Sequence, residues 1–107
     1  MKTFDMTIEK LQGVWSMVKD IPYRTSFEMG GYTFAVHKRY YPAEGTVKPW
    51  EHEWDVSEIT SGGRVFSGYT SKKGTIESAK ARLNTISPDR LNEAIEHGRK
   101  KKEGIQS

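Results

Sequence analysis

The segment Trp50-Glu51-His52-Glu53-Trp54-Asp55-Val56-Ser57-Glu58 gathers the densest set of chemically capable side chains in this sequence. Read as a strand, its successive side chains leave on opposite faces. Trp50, His52, Trp54 and Val56 then share one face, and Glu51, Glu53 and Asp55 share the other. Neighbouring acids on that face would stand about 6.5–7 Å apart. Three kinds of chemistry fit such a row. The acids can pair across the sheet with Lys38, Arg39 or Arg64, at about 0.2–1 kcal/mol per pair. They can offer a docking row to a basic groove on a partner. They can also hold a divalent cation or act as paired carboxylates. A flat row, however, does not converge on one point as calcium's roughly six to eight oxygens must, and no second acidic cluster completes a site. No metal and no cofactor are expected.

The aromatic face of the same strand reads as core. Trp50 and Trp54, with Tyr32 and Phe34, would roof a sheet against an N-terminal helix. An open platform for stacking bases is the alternative, which the adjacent acids oppose by repelling phosphates. The histidines are His37, His52 and His97. No two have metal-ligand spacing on a helix, and His97 precedes a helix C-cap, where a cation is favourable. A general-base role stays open for His37 or His52, although no Ser/His/Asp or Lys/His set stands out. Neither a G-x-G-x-x-G nor a P-loop pattern occurs, and an enzyme is not expected.

These groups need elements to hold them. Phe4, Ile8, Leu11, Trp15 and Val18 fall at helical spacing, which predicts a helix over about residues 4–20, weakened by Gly13 and ended by Pro22. The period then changes to two. Thr25 to Met29 and Tyr32 to Tyr41 flank Gly30-Gly31, a pair suited to the positive φ of a tight hairpin turn. Pro42 to Pro49 reads as a loop, Trp50 to Thr60 as a third strand, and Ser61-Gly62-Gly63 as the turn into a fourth, Arg64 to Thr70. After a Ser71/Thr75 cap, Ile76, Ala79, Leu83 and Ile86 mark a helix. Another follows, with Ser87 as N-cap, Pro88 at its first position and Gly98 at C′. The expected fold is α+β: an N-terminal helix, a four-stranded antiparallel meander and two C-terminal helices, in the order α-β-β-β-β-α-α.

The chain has 107 residues, no cysteine, and a formal net charge of +3. That is enough for one modest core, expected over residues 1–98. Disulfide scaffolds, thiolate zinc sites and cysteine nucleophiles are excluded. No apolar run approaches the roughly 20 residues of a membrane span, and the N-terminus lacks a signal-peptide core. A cytoplasmic protein without membrane contact is expected. Arg99, Lys100, Lys101 and Lys102, against Glu103, account for the whole net charge, and residues 99–107 read as a solvated, disordered basic tail. The rest of the sequence is balanced. It offers no broad basic face of the kind that supplies most nucleic-acid affinity.

Gly68-Tyr69-Thr70-Ser71-Lys72-Lys73, running into a helix, resembles the last third of double-stranded-RNA-binding domains. There, lysines at a helix start face phosphates. Gly74 and Thr75 depart from that family's pattern, and its Gly-Pro-x-His loop is missing. A longer stretch resembles small phage and prophage proteins: Trp54 through Thr70 with its Ser61-Gly62 turn and Gly68-x-Thr70 strand end, then Thr75 to Leu83. Members of known role include inhibitors of host defence, among them anti-CRISPR proteins and restriction inhibitors. This resemblance implies a small stoichiometric binder, not a catalyst, acting on a host protein that handles nucleic acid. It transfers no functional residue.

On that reading Glu51, Glu53 and Asp55 steer the partner, while Tyr40, Tyr41 and Trp50 anchor it. The alternative is a nucleic-acid-binding module using Lys72, Lys73, Lys80, Arg82, Arg99, Lys100, Lys101 and Lys102. A third is a self-assembling protein with the last helix as a dimer arm. Either a monomer or a homodimer fits.

Overall fold

In a computed structural model, residues 2–43 and 46–106 are described, without the side chains of 10, 11, 42, 43, 46, 51 and 106. The element order is β1 (Lys2–Leu11), β2 (Val14–Tyr23), β3 (Thr25–Met29), β4 (Tyr32–Ala43), β5 (Thr46–Glu58), β6 (Arg64–Ser67), α1 (Lys72–Asn84) and α2 (Pro88–Gln106). The class is α+β with antiparallel pairing, but the expected element order is overturned. A two-stranded hairpin stands where an N-terminal helix was expected, and the described residues form six strands in two sheets, ordered β1-β2 and β3-β4-β5-β6.

The reason lies in a residue that weakened the helix. Gly13 has φ +78°, follows Gln12 in the turn, and donates its N–H to Glu9 Oε2 at 3.1 Å. That left-handed backbone favours glycine over any residue with a Cβ. With a turn there, Phe4 and Met6 of β1 and Ile21 and Tyr23 of β2 share one face of the hairpin, Phe4 opposite Ile21 in the ladder. All four are buried together, with Ala35. The Phe4-to-Val18 stripe fits a 3.6 period, yet Trp15 and Val14 end exposed. A second pattern, the alternation of Phe4, Met6 and Ile8, overlaps that stripe, and burial of Phe4 and Met6 against the larger sheet selected it.

The larger sheet is the middle of three layers. Phe34, Val36 and Val56 face Ala79 and Leu83 of α1 and Leu91 and Ile95 of α2. Ala35 faces the hairpin instead, with Tyr40 and Ile59 packed beside it. Strand alternation on β4 thus feeds two cores. The expected loop at Pro42 to Pro49 is taken up by β4 and β5, which pair as far as Ala43↔Thr46. The register between these strands jumps from Lys38↔Trp54 to Arg39↔Trp50, so residues 51–53 bulge from the ladder.

The turn between β5 and β6 fastens the layers. Glu58 is fully buried, and its carboxylate accepts the N–H groups of Thr60 (2.7 Å) and Ser61 (2.9 Å) and the Thr60 hydroxyl (2.6 Å). The Gly62 carbonyl then accepts the Thr7 N–H of β1 at 2.9 Å. On the other side Arg99 Nε donates to Thr60 Oγ1 at 2.8 Å, and Gly98 lies against Ser61. Helix α2 accordingly runs on past Gly98 to Gln106, so residues 99–106 of the expected disordered tail are helical, with Arg99 and Lys102 bonded to Thr60; residue 107 lies outside the described residues.

Gly62 and Gly31 both have positive φ, +69° and +85°, but only Gly62 is hemmed in: a Cβ there would strike the Asp5 carbonyl oxygen, whereas Gly31 faces open space. Gly31→Ala should cost roughly 1–2 kcal/mol from backbone strain alone. Gly62→Ala should cost clearly more, lowering the thermal midpoint by at least several further degrees in circular-dichroism melts. Equal losses would show that the hairpin does not depend on this approach.

Candidate functional site: a cleft between hairpin, sheet and helix

A cleft of about 590 Å³ opens where β1, β4 and α2 meet. Met6, Thr7 and Ile8 form its β1 side, and Ala94, His97, Gly98 and Lys101 its helical side. Trp15, Tyr40, Tyr41 and Arg64 contribute the remaining large groups, with Arg39 and Asp55 at the back. This volume falls in the range of ordinary ligand pockets.

The electrostatics begin with a buried carboxylate. Asp55 is 2% exposed. Its Oδ1 accepts Arg39 Nε at 3.0 Å, and its Oδ2 lies 3.5 Å from Arg64 Nη1. Arg39 also bridges to Glu53 and donates Nη2 to the Gly68 carbonyl at 3.3 Å. One guanidinium thereby ties β4, the β5 bulge and the end of β6, and all three of its nitrogens are engaged. Arg64 differs: its side chain is 53% exposed and reaches Asp55 only at the outer limit of hydrogen-bond length. The accessible charges of the cleft are two cations and one anion: Arg64, Lys101, which stands 3.7 Å above the Trp15 ring, and the exposed Glu9, whose carboxylate also accepts the Gly13 N–H.

The expected acidic docking row does not form. The bulge at 51–53 breaks the alternation that would have aligned it, Asp55 turns inward to two arginines, and Glu53 is bridged to Arg39. The Glu51 side chain lies outside the described residues. The aromatic anchors fare differently. Trp50 is 45% and Tyr41 37% exposed, with ring centroids 6.0 Å apart in an edge-to-face pair. Tyr40 is half-buried on the cleft, and burial raises its hydroxyl pKa, keeping it a donor. Trp50 thus does not roof the sheet; Trp54 does so in part, beside the α1 core.

The basic residues also divide. Arg99 bonds Thr60, pairs with Glu96 at 2.5 Å and stands 5.6 Å over Tyr32. Lys101 covers Trp15, Lys102 donates to the Thr60 carbonyl at 3.4 Å, and Lys100 is exposed. Most of the run is a fastening for α2. On α1, Lys72, Lys73 and Arg82 are exposed, and the exposed Lys80 stands 5.3 Å over Phe27.

One arrangement was not legible in the sequence. His37 Nδ1 lies 2.7 Å from the Lys38 carbonyl, which can only accept, so this nitrogen carries the proton. Nε2 then accepts the Ser57 hydroxyl at 2.7 Å. The pair has the orientation of a nucleophile and its base. Asp55, however, serves the arginines, and both residues are buried beneath the hairpin at 1% and 0% exposure. The contact is structural, with Phe4 packed 5.3 Å from the imidazole. Trp15 and Arg64 were also missed as cleft residues, since only the folded hairpin and the β5–β6 turn bring them to Tyr41. Among the described residues no three His, Asp or Glu side chains gather to hold a metal, and no helix is long and apolar enough to cross a membrane.

Comparison with protein-family models, curated proteins and solved structures finds no match.

Burial lowers the His37 pKa below its ordinary value, despite the Lys38 carbonyl and Asp55, which favour the cation. Below about pH 6.5 the unfolded chain takes up a proton that the folded chain resists, so stability falls as pH drops. Melts between pH 8 and pH 5 should show that decline, and His37→Gln should flatten it. An unchanged slope in the variant would assign the decline to other groups.

Proposed function

We propose that this chain is a non-enzymatic binding protein that grips an acidic segment of a protein partner in the cleft, anchored by Trp15, Tyr41 and Trp50. The observation that supports it most is the sorting of charge. The carboxylates at Glu53 and Asp55 pair with Arg39, and of the cleft's remaining charged side chains two are cations, Arg64 and Lys101, against one exposed carboxylate, Glu9, beside exposed aromatic rings. Exposed aromatics around a partly desolvated basic centre are the usual composition of binding hot spots. The partner is thus acidic where it docks, the reverse of the basic groove that an acidic row would have required.

The phage-protein resemblance of Trp54 to Leu83 supports placing the partner in a host cell, as the target of a stoichiometric inhibitor. The partner class it implies, a protein that handles nucleic acid, is part of the same proposal.

A peptide array of random 12-residue sequences, probed with the labelled full chain, tests the reading without a known partner. Binding peptides should be enriched in Asp and Glu next to aromatic or large aliphatic residues. Arg64→Glu should weaken the best of them at least tenfold, and Trp50→Ala by roughly 30-fold, as for a hot-spot aromatic. Trp50→Ala should keep the wild-type melting temperature, and Arg64→Gln, which sets no second carboxylate beside buried Asp55, should weaken binding in the same direction as Arg64→Glu. Peptides without acidic enrichment, or equal binding by Arg64→Glu, would sink the proposal.

A further inference from the structure

Among the described residues β3 lies at the end of the larger sheet and pairs with β4 alone. The direction of its free backbone groups follows from the ladder. Ile59 donates its N–H to the Thr33 carbonyl of β4 at 3.1 Å, so Thr33 turns its groups toward β5. By alternation Tyr32, Phe34 and Val36 turn theirs toward β3, where they meet Met29, Phe27 and Thr25. The N–H and C=O groups of Ser26 and Glu28 therefore point outward from the edge of the sheet.

Edge strands are commonly blunted by a lysine, a proline or a bulge. β3, Thr-Ser-Phe-Glu-Met, has none of these, and its register with β4 runs without a shift. Phe27 and Met29 pack on the helical core, while Ser26 and Glu28 are exposed on the other side of the strand. Arg24, just ahead of the strand, is exposed as well. Among the described residues the ion pairs involve neither Arg24 nor Glu28.

We infer that β3 pairs with β3 of a second copy, antiparallel about a two-fold axis at Ser26, so that the two larger sheets become one. The charges select this occupant and this register. With Ser26 opposite Ser26, the two exchange both backbone bonds, and Arg24 of each copy comes level with Glu28 of the other. Two unlike pairs then flank the axis. Centring on Glu28 would set the carboxylates against each other, and parallel in-register pairing would set arginine on arginine. A ladder this short buries less than a standard interface, so the dimer is weak and reversible. β3 is not among the described residues that line the cleft, so each copy keeps its own.

Cross-linking tests the axis, because the chain has no cysteine of its own. The two Cα atoms of residue 26 would stand about 5.5 Å apart, within the span of a disulfide. Under mild oxidation at high micromolar concentration, Ser26→Cys should form a disulfide dimer much faster than Ser67→Cys at the exposed end of β6. Sedimentation equilibrium of the full chain tests the charges. Arg24→Glu and Glu28→Arg should each weaken self-association about tenfold or more, since each turns both unlike pairs into like ones. An equimolar mixture of these two variants should associate as the wild type does, because both unlike pairs reform between them. Circular-dichroism melts should show all the variants folded. A wild-type chain that stays monomeric at high micromolar concentration, equal cross-linking from Ser67→Cys, or a mixture that associates no better than its components would each overturn the inference.

Discussion

The buried Glu58 carboxylate, and the turn it organises, is the constraint on which the three layers depend. A carboxylate at 0% exposure is tolerable only when its oxygens are satisfied, and here the turn's own N–H groups and the Thr60 hydroxyl do so. With residues 58–63 fixed in that loop, Gly62 meets β1 and Thr60 meets α2. The hairpin, the sheet and the last helix are then joined at one point. The 590 Å³ cleft lies beside this junction, with Gly63 and Gly98 in its wall.

The charges follow the same logic. A sequence with near balance outside its last residues could show either sign to a partner, and the fold decides which. Asp55 and Glu53 are drawn inward by Arg39, a guanidinium whose fork suits two carboxylates at once. Arg99 and Lys102 close the C-terminal part of α2 onto the turn. Other cations stay exposed, among them Arg64 at the cleft and Lys72, Lys73, Lys80 and Arg82 on α1.

The sequence made some of this legible. Gly30-Gly31 lies between β3 and β4 with φ of +61° and +85°, Ser71 caps α1 by accepting the Gly74 N–H, and Pro88 opens α2. Each of these is decided within a few residues, by backbone freedom or by a side chain reaching its own backbone. What failed was decided at long range. The Phe4-to-Val18 stripe satisfied only the helical period, while the alternation of Phe4, Met6 and Ile8 within it went unread; packing beside Ala35 and Tyr40 selected strands. The acidic row assumed an unbroken ladder, and the bulge at 51–53 is a pairing event that no local pattern announces. The basic run at Arg99 to Lys102 looked solvated because its acceptors, the Thr60 oxygens and the Trp15 ring, lie far away in sequence. The exposed aromatics Tyr41 and Trp50 were identifiable as residues, but the cleft residues Trp15 and Arg64 were not.

The claim that one turn couples hairpin, sheet and helix is tested most directly by native-state hydrogen exchange at the Thr7 amide, which donates to Gly62. If the turn fastens the layers, Thr7 and Ser61 exchange only through global unfolding, as slowly as the central amides of β4 and β5. Exchange at Thr7 orders of magnitude faster than in those strands would mean that the hairpin opens by itself, and the account of the junction and of its cleft would fail.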